Sequence, residues 1–221
     1  METVAGVDGC PGGWVAAVWS RTGVEWRLLP LALGPALDLL AGCAVVAVDV
    51  PIGVPEVGYR ACDVAAREVL GEARSSVFHT PTRAVLDAPD YATACAVARA
   101  VPGPAPSRQT WAIAERIRDA NGVFSTHGPQ PGCAVVEAHP EVSFLAMTGA
   151  VLPSKRSAAG LAARLVALAE HFGDVPLLMR DAPRPANADD ALDALACAWT
   201  ARRVLAGTET RLGEPPMEIV A

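Results

Sequence analysis

Two apolar runs, each ending on an aspartate, constrain this chain more than any other feature. Val4-Ala5-Gly6-Val7 runs into Asp8, and Ala44-Val45-Val46-Ala47-Val48 runs into Asp49. An uninterrupted Val/Ala run bounded by Gly and Pro predicts a strand covered on both faces. The first run is followed by Gly9-Cys10-Pro11-Gly12-Gly13 and a second apolar run from Trp14 to Trp19, which predicts an antiparallel pair. A carboxylate ending a covered strand needs a partner, a hydrogen bond or a metal. Taken singly, Asp8 is equally well explained as the start of a turn, since Asp-Gly is a common turn dipeptide. Two such strands side by side would bring Asp8 and Asp49 to one sheet edge, where the sites of α/β proteins form.

The rest of the chain fits an α/β fold built on a mixed five-stranded sheet flanked by helices. Residues 24–29 alternate loosely and predict a third strand, and residues 35–41 a short helix opened by Pro35. A β-β-β-α-β order then puts three antiparallel strands before a crossover to the Asp49 strand. From 51 to about 132 the pattern turns helical, an insertion after the fourth strand. Helices are expected over 60–70, 91–100 and 110–120, with a polar loop over 72–83. The Pro-rich stretch 101–106 is too short to link domains and reads as a turn. Residues 133–137 repeat the apolar-run-plus-acid design and end on Glu137. Helical spacing recurs over 158–172 and 187–205, the latter with Asn187 as N-cap. Residues 1–206 thus read as one domain, and 207–221 as a polar C-terminal tail that frays.

Composition narrows the function classes. A chain of 221 residues with 52% hydrophobic and 19% charged residues is globular, and no apolar run has the length of a membrane helix. The N-terminus lacks a basic-then-apolar signal pattern, so cytoplasmic residence is the expectation. Cys10, Cys43, Cys62, Cys95, Cys133 and Cys197 are scattered without zinc-site spacing and read as small buried residues. A net charge of −6 argues against a general nucleic-acid-binding surface but leaves room for a local basic groove.

Asp189-Asp190-Ala191-Leu192-Asp193 opens the last helix. Acids in a first turn offset the helix dipole, which is sufficient for Asp189. It explains Asp193 poorly, because that residue sits among Leu192, Leu195 and Ala196. Asp190 and Asp193 share a face, and like charges there are unfavourable unless a cation offsets them. An oxygen-only acidic set suits Mg²⁺ or Mn²⁺.

The combination Asp-Gly-Cys-Pro-Gly-Gly-Trp, Asp-Val-Pro-Ile-Gly, Arg-Ser-Ser-Val-Phe, Glu-Ala-His-Pro-Glu and Asp-Asp-Ala-Leu-Asp-Ala-Leu resembles a bacterial and archaeal family of predicted ribonuclease-H-like nucleases of unknown function. These segments run from the first strand to the last helix. The resemblance implies metal-dependent hydrolysis of phosphodiester bonds in a nucleic acid, by two cations about 3.5–4 Å apart. Asp8 would bridge the metals, Asp49 would bind one, and Asp190 or Asp193 would complete the set. Glu137 would be a further ligand or a general base, or else would cap the helix at His139-Pro140-Glu141. One departure from the superfamily is that the first helix offers only Asp38 where some members place a catalytic Glu.

Candidates for phosphate contact are Arg74, Ser75, Ser76, Arg83, Gln109, Lys155 and Arg156, though for each taken singly a solvated surface role is the better reading. Lys155 is the only lysine. His79, His127, His139 and His171 lack metal-ligand spacing and read as structural. Two other functions fit part of the pattern. One is a nucleotide-dependent phosphotransferase of actin/hexokinase type, for which the chain is short. The other is a non-catalytic ligand- or partner-binding protein on a nuclease-like fold.

Overall fold

The apolar runs form strands where their composition predicts, and strand register decides which acids meet. The structure, a computed structural model, describes residues 2–126 and 132–221; His127 lies outside them. β1 (Val4–Cys10), β2 (Gly13–Ser20) and β3 (Gly23–Leu29) make an antiparallel meander. The chain crosses over through α1 (Leu33–Asp38) to β4 (Val45–Val48), which pairs parallel to β1. β5 (Ala134–Glu137) pairs parallel to β4, giving the order β3-β2-β1-β4-β5. The expected mixed five-stranded sheet is therefore present, with the helical region following its fourth strand.

That region contains α2 (Ala61–Leu70), a 3-10 turn (Gly71–Ser76), α3 (Arg83–Leu86), α4 (Tyr91–Ala100), α5 (Arg108–Ala112) and α6 (Ala114–Thr126). The polar loop expected over 72–83 thus opens with a helical turn. The single helix expected over 110–120 is two, which meet at Ile113. After β5 come α7 (Pro140–Thr148), α8 (Ala158–Phe172), α9 (Val175–Arg180) and α10 (Ala188–Ala206). α7 begins where a helix is expected at His139-Pro140-Glu141, whereas α9 is too short for a periodic signal to announce it.

In register, Val7 faces Val48 and Val48 faces Glu137 across the parallel ladder. Side chains alternate between faces with a period of two. Val7, Val48 and Glu137 therefore share one face, and Asp8, Asp49 and Ala138 the other. The Asp49 N–H donates to the Val7 carbonyl at 2.9 Å, which carries the β1–β4 register one step past the end of β4.

α10 lies on the Asp8 face, and a missing side chain lets it approach. A Cβ on Gly6 would stand 2.0 Å from the Ala198 amide nitrogen and 2.1 Å from the Ala194 carbonyl oxygen. Helix backbone therefore rests directly on strand backbone, with Ala191, Ala194, Ala198 and Ala201 buried in the helix. The opposite face carries the larger core, in which Val7, Val46, Val48 and Trp14 pack with Leu33, Leu40 and Ile117. Each fully buried Val or Leu contributes roughly 1.5–3 kcal/mol relative to its exposed state. Such burial can offset a few buried acids at the sheet edge.

The C-terminal segment does not fray. Arg211–Glu214 (β6) and Met217–Val220 (β7) form a hairpin, and Val220 bridges in parallel to Ala138 beyond β5. Ile219 and Ala221 are buried against Cys62, Ala66 and Leu70 of α2. Charged residues on the outer positions of the hairpin hide its apolar inner positions when the segment is read as sequence.

Candidate functional site

β1 and β4 deliver Asp8 and Asp49 side by side at the C-terminal edge of the parallel strands. The first turns of α10, held close by Gly6, place Asp193 beside them. All three line one cleft of about 1070 Å³. Lys155, from the loop between α7 and α8, reaches Asp193 with Nζ 2.7 Å from Oδ2. Asp193 Oδ1 is shut off from solvent and has no hydrogen-bond partner among the described residues. Ser75, Ser76, Gln109, Lys155 and Arg156 also line the cleft, so five of the expected phosphate-contact candidates share it with the three aspartates.

The electrostatics of the cluster are unfavourable to its anionic form. Burial, then the charges of Asp49 and Asp193, hold the Asp8 carboxyl well above the usual carboxylate range. Asp49 is pushed up to about 7, chiefly by burial, with Lys155 pulling the other way. Asp193 is pushed up to about 6 by burial against the opposing pull of Lys155, with Asp49 and Glu141 adding to the rise. Burial lowers the Lys155 ammonium, but the carboxylate of Asp193 outweighs it and the group ends at about 12. The two partners of this ion pair thus move in the same direction. For Asp193, one lysine does not compensate for desolvation together with two acidic neighbours.

A divalent cation fits this set. The donors are carboxylate oxygens, the hard ligands that Mg²⁺ and Mn²⁺ take. One of them, Asp193 Oδ1, is buried and unpartnered, and the group carries more negative charge than Lys155 neutralises. Among the described residues no three His, Cys, Asp or Glu side chains are already drawn together at ligand spacing. The fit rests on donor chemistry and charge.

Other expected site residues stand elsewhere. Glu137 does not line the cleft, because the parallel register puts it on the Val7–Val48 face. Its Oε2 accepts from Arg60 Nη2 at 2.5 Å and from the Ile52 N–H at 2.7 Å. Arg60 also donates to Thr80 Oγ1 at 2.9 Å and pairs with Asp63 at 3.5 Å, and all four side chains are buried. Glu137 therefore anchors the loop after Asp49 from outside the cleft. Asp190 is near enough to raise Asp8, but its Oδ2 accepts from the Asn187 N–H at 3.0 Å and completes a capping box. Arg83 pairs with Glu56 at 2.6 Å outside the cleft. Arg74 lines a separate, smaller pocket.

Several cleft residues are not apparent from sequence. Arg116 of α6 donates to the Cys10 carbonyl at 2.5 Å and the Gly13 carbonyl at 3.3 Å, and its guanidinium lies over the Trp14 ring. It pins the β1–β2 loop that follows Asp8. Arg164 of α8 grips both oxygens of Glu141, at 2.7 and 2.6 Å, on the wall beside Lys155. His139, expected to be structural, also lines the cleft, and burial lowers its imidazole pKa. These groups come from loops and helices far apart in the chain, and only the Glu-Ala-His-Pro-Glu segment marks two of them in advance.

No helix among the described residues is long and apolar enough to cross a membrane. No curated protein and no solved structure matches the chain. A family model described as a protein of unknown function (DUF429) matches residues 6–218, nearly the whole chain, and the chain belongs to that family.

Proposed function

We propose that this cleft hydrolyses phosphodiester bonds in a metal-dependent reaction of the ribonuclease-H-like kind, with a nucleic acid as substrate. One observation carries the reading. Asp8, Asp49 and Asp193 come from two neighbouring strands and a facing helix to one water-accessible cleft, and burial and mutual repulsion disfavour their charged forms. Acids concentrated at such a position are more characteristic of a site than of a stabilising core. Asp8, Asp49 and Asp193 would hold Mg²⁺ or Mn²⁺, with Asp190 behind them. When bound, the cations supply charge neutralisation and an activated water.

The chain's own groups then bind and orient the substrate. Lys155 and Arg156 offer positive charge to phosphate oxygens, and the Ser75 hydroxyl and the Gln109 amide offer neutral donors, whereas the Ser76 hydroxyl is spent on the Ala73 carbonyl at 2.8 Å. Arg116 fixes the loop after Asp8, and the pair of Glu137 with Arg60 fixes the loop after Asp49. Both aspartates are thereby held by anchored backbone.

The test is a cleavage assay on single-stranded and structured RNA, DNA and RNA–DNA hybrids with Mn²⁺, comparing wild type with Asp8→Asn purified identically. The proposal expects cleavage by wild type that Asp8→Asn lacks. Equal residual cleavage by both would identify contamination and leave a non-catalytic binding protein as the better reading.

A further inference from the structure

The 3-10 turn Gly71–Ser76 is a narrow wall with a concavity on each side. Its Glu72, Ala73, Ser75 and Ser76 line the cleft, whereas Arg74 faces a second pocket of about 520 Å³; Gly71 borders both. Arg74 on one side and Ser75 on the other are neighbours in sequence, so the two concavities adjoin. The size of the second pocket is in the range that holds a small organic ligand.

Its walls suit a nucleotide. Tyr59 is 54% exposed, and His79 meets it with ring planes at 82° and centroids 4.8 Å apart, so His79 covers at most one face of the tyrosine ring and leaves the other for stacking. Arg67 is occupied: it donates to the carbonyls of Arg74 and Val77 and so braces the 3-10 turn. The guanidinium of Arg74 is exposed and makes no hydrogen bond or ion pair among the described residues. With Arg67, Arg74 and Glu68 as its charged lining, the pocket carries one net positive charge. A π-face beside an unengaged guanidinium and next to a proposed phosphodiester cleft is the arrangement that binds single strands, through base stacking and backbone charge.

We propose that this pocket is a subsite for a nucleotide flanking the scissile phosphate of a single strand, with the base stacked on Tyr59 and its phosphate on Arg74. The proposal rests on the nucleic-acid reading of the cleft. It narrows the substrate class to strands whose bases are free to unstack, because a paired base cannot enter the pocket and lie on Tyr59.

The test is fluorescence anisotropy with a labelled single-stranded octauridylate in an Asp8→Asn background that leaves the strand uncut. Tyr59→Ala and Arg74→Ala should each weaken binding about tenfold, and Tyr59→Phe, which keeps the ring, should retain parental affinity. Arg74→Ala should also lower the slope of log affinity against log salt by about 1. Both alanine positions are exposed, so loss of folding is not expected, and circular dichroism checks it. Parental affinity in both alanine variants would overturn the subsite while leaving the cleft reading intact. Free uridine monophosphate competing as well as the octamer would show a mononucleotide pocket and overturn the strand proposal. Absence of binding by the parent would bring down the nucleic-acid reading and this inference with it.

Discussion

Lys155, the only lysine in the chain, donates from Nζ to Asp193 Oδ2 at 2.7 Å across the mouth of the cleft. A cation bound by Asp193 would compete with this ammonium for the same carboxylate. Lys155→Met should therefore lower the stability of the metal-free protein by about 1 kcal/mol, a modest loss because the lysine side chain is 39% exposed. The same change should tighten Mn²⁺ binding. Paired denaturation and titration experiments check this, and weaker Mn²⁺ binding in the variant would show that lysine and metal do not compete.

The aspartate cluster predicts an inverted pH dependence for the metal-free protein. Asp49 and Asp193 titrate at about 7 and about 6 in the folded state, above the ordinary aspartate range near 3.9. Between those values the native state binds more protons than the unfolded state, so stability falls as pH rises. The contribution is complete below about pH 4 and lost above about pH 7. Melting in chelator should show a declining melting temperature over this window, and Mn²⁺, which binds the anionic form, should flatten the decline. A melting temperature in chelator that climbs steadily from pH 5 to 8 would contradict the assignment.

Gly6 sets the distance between Asp8 and Asp193. Gly6→Ala would drive a methyl group into the backbone of Ala194 and Ala198. The helix must move off the strand, with a loss of about 1–3 kcal/mol or more. Since Asp193 travels with that helix, Mn²⁺ binding should weaken along with stability. A variant that loses stability but binds Mn²⁺ as wild type does would show that Asp193 is not a ligand.

Arg60 and Glu137 form a buried pair whose side chains are 0% and 5% exposed. Glu137→Ala should destabilise by about 3–5 kcal/mol, because it leaves Arg60 charged and buried with only the more distant Asp63 as counter-ion. Arg60→Met combined with Glu137→Leu should recover part of that loss, the remainder reflecting Asp63, which then stays buried without Arg60. If Glu137 were instead a metal ligand, the double variant would remain unable to bind Mn²⁺ however stable it became.

The pairing of Asp8 with Asp49 was legible because both end runs that only a covered strand explains, and Asp193 because an acid stands among Leu192, Leu195 and Ala196. Helices with strong periodicity or clear caps were equally legible: 91–100 and 158–172 coincide with α4 and α8. Glu137 looked like a third strand-end acid, and only the register shows that it faces away. A shift of one residue is invisible in a strand read alone. Arg60, 77 positions from Glu137, and Arg116, 106 from Cys10, make contacts that the fold creates and no local pattern encodes. The C-terminal hairpin was hidden because its inner positions alternate with charge and its partner, α2, is remote in sequence.

Asp8, Asp49 and Asp193 are proposed to bind a divalent cation together. Calorimetric titration of Mn²⁺ into the metal-free protein at pH 7 tests it directly, alongside Asp8→Asn. Wild type should bind with release of protons from the aspartates, and Asp8→Asn should lose the binding heat. The metal-free variant should be more stable than wild type, because a carboxyl whose charged form burial and acidic neighbours disfavour has been removed. Saturable Mn²⁺ binding of equal strength in Asp8→Asn, or no binding by wild type, would contradict the claim.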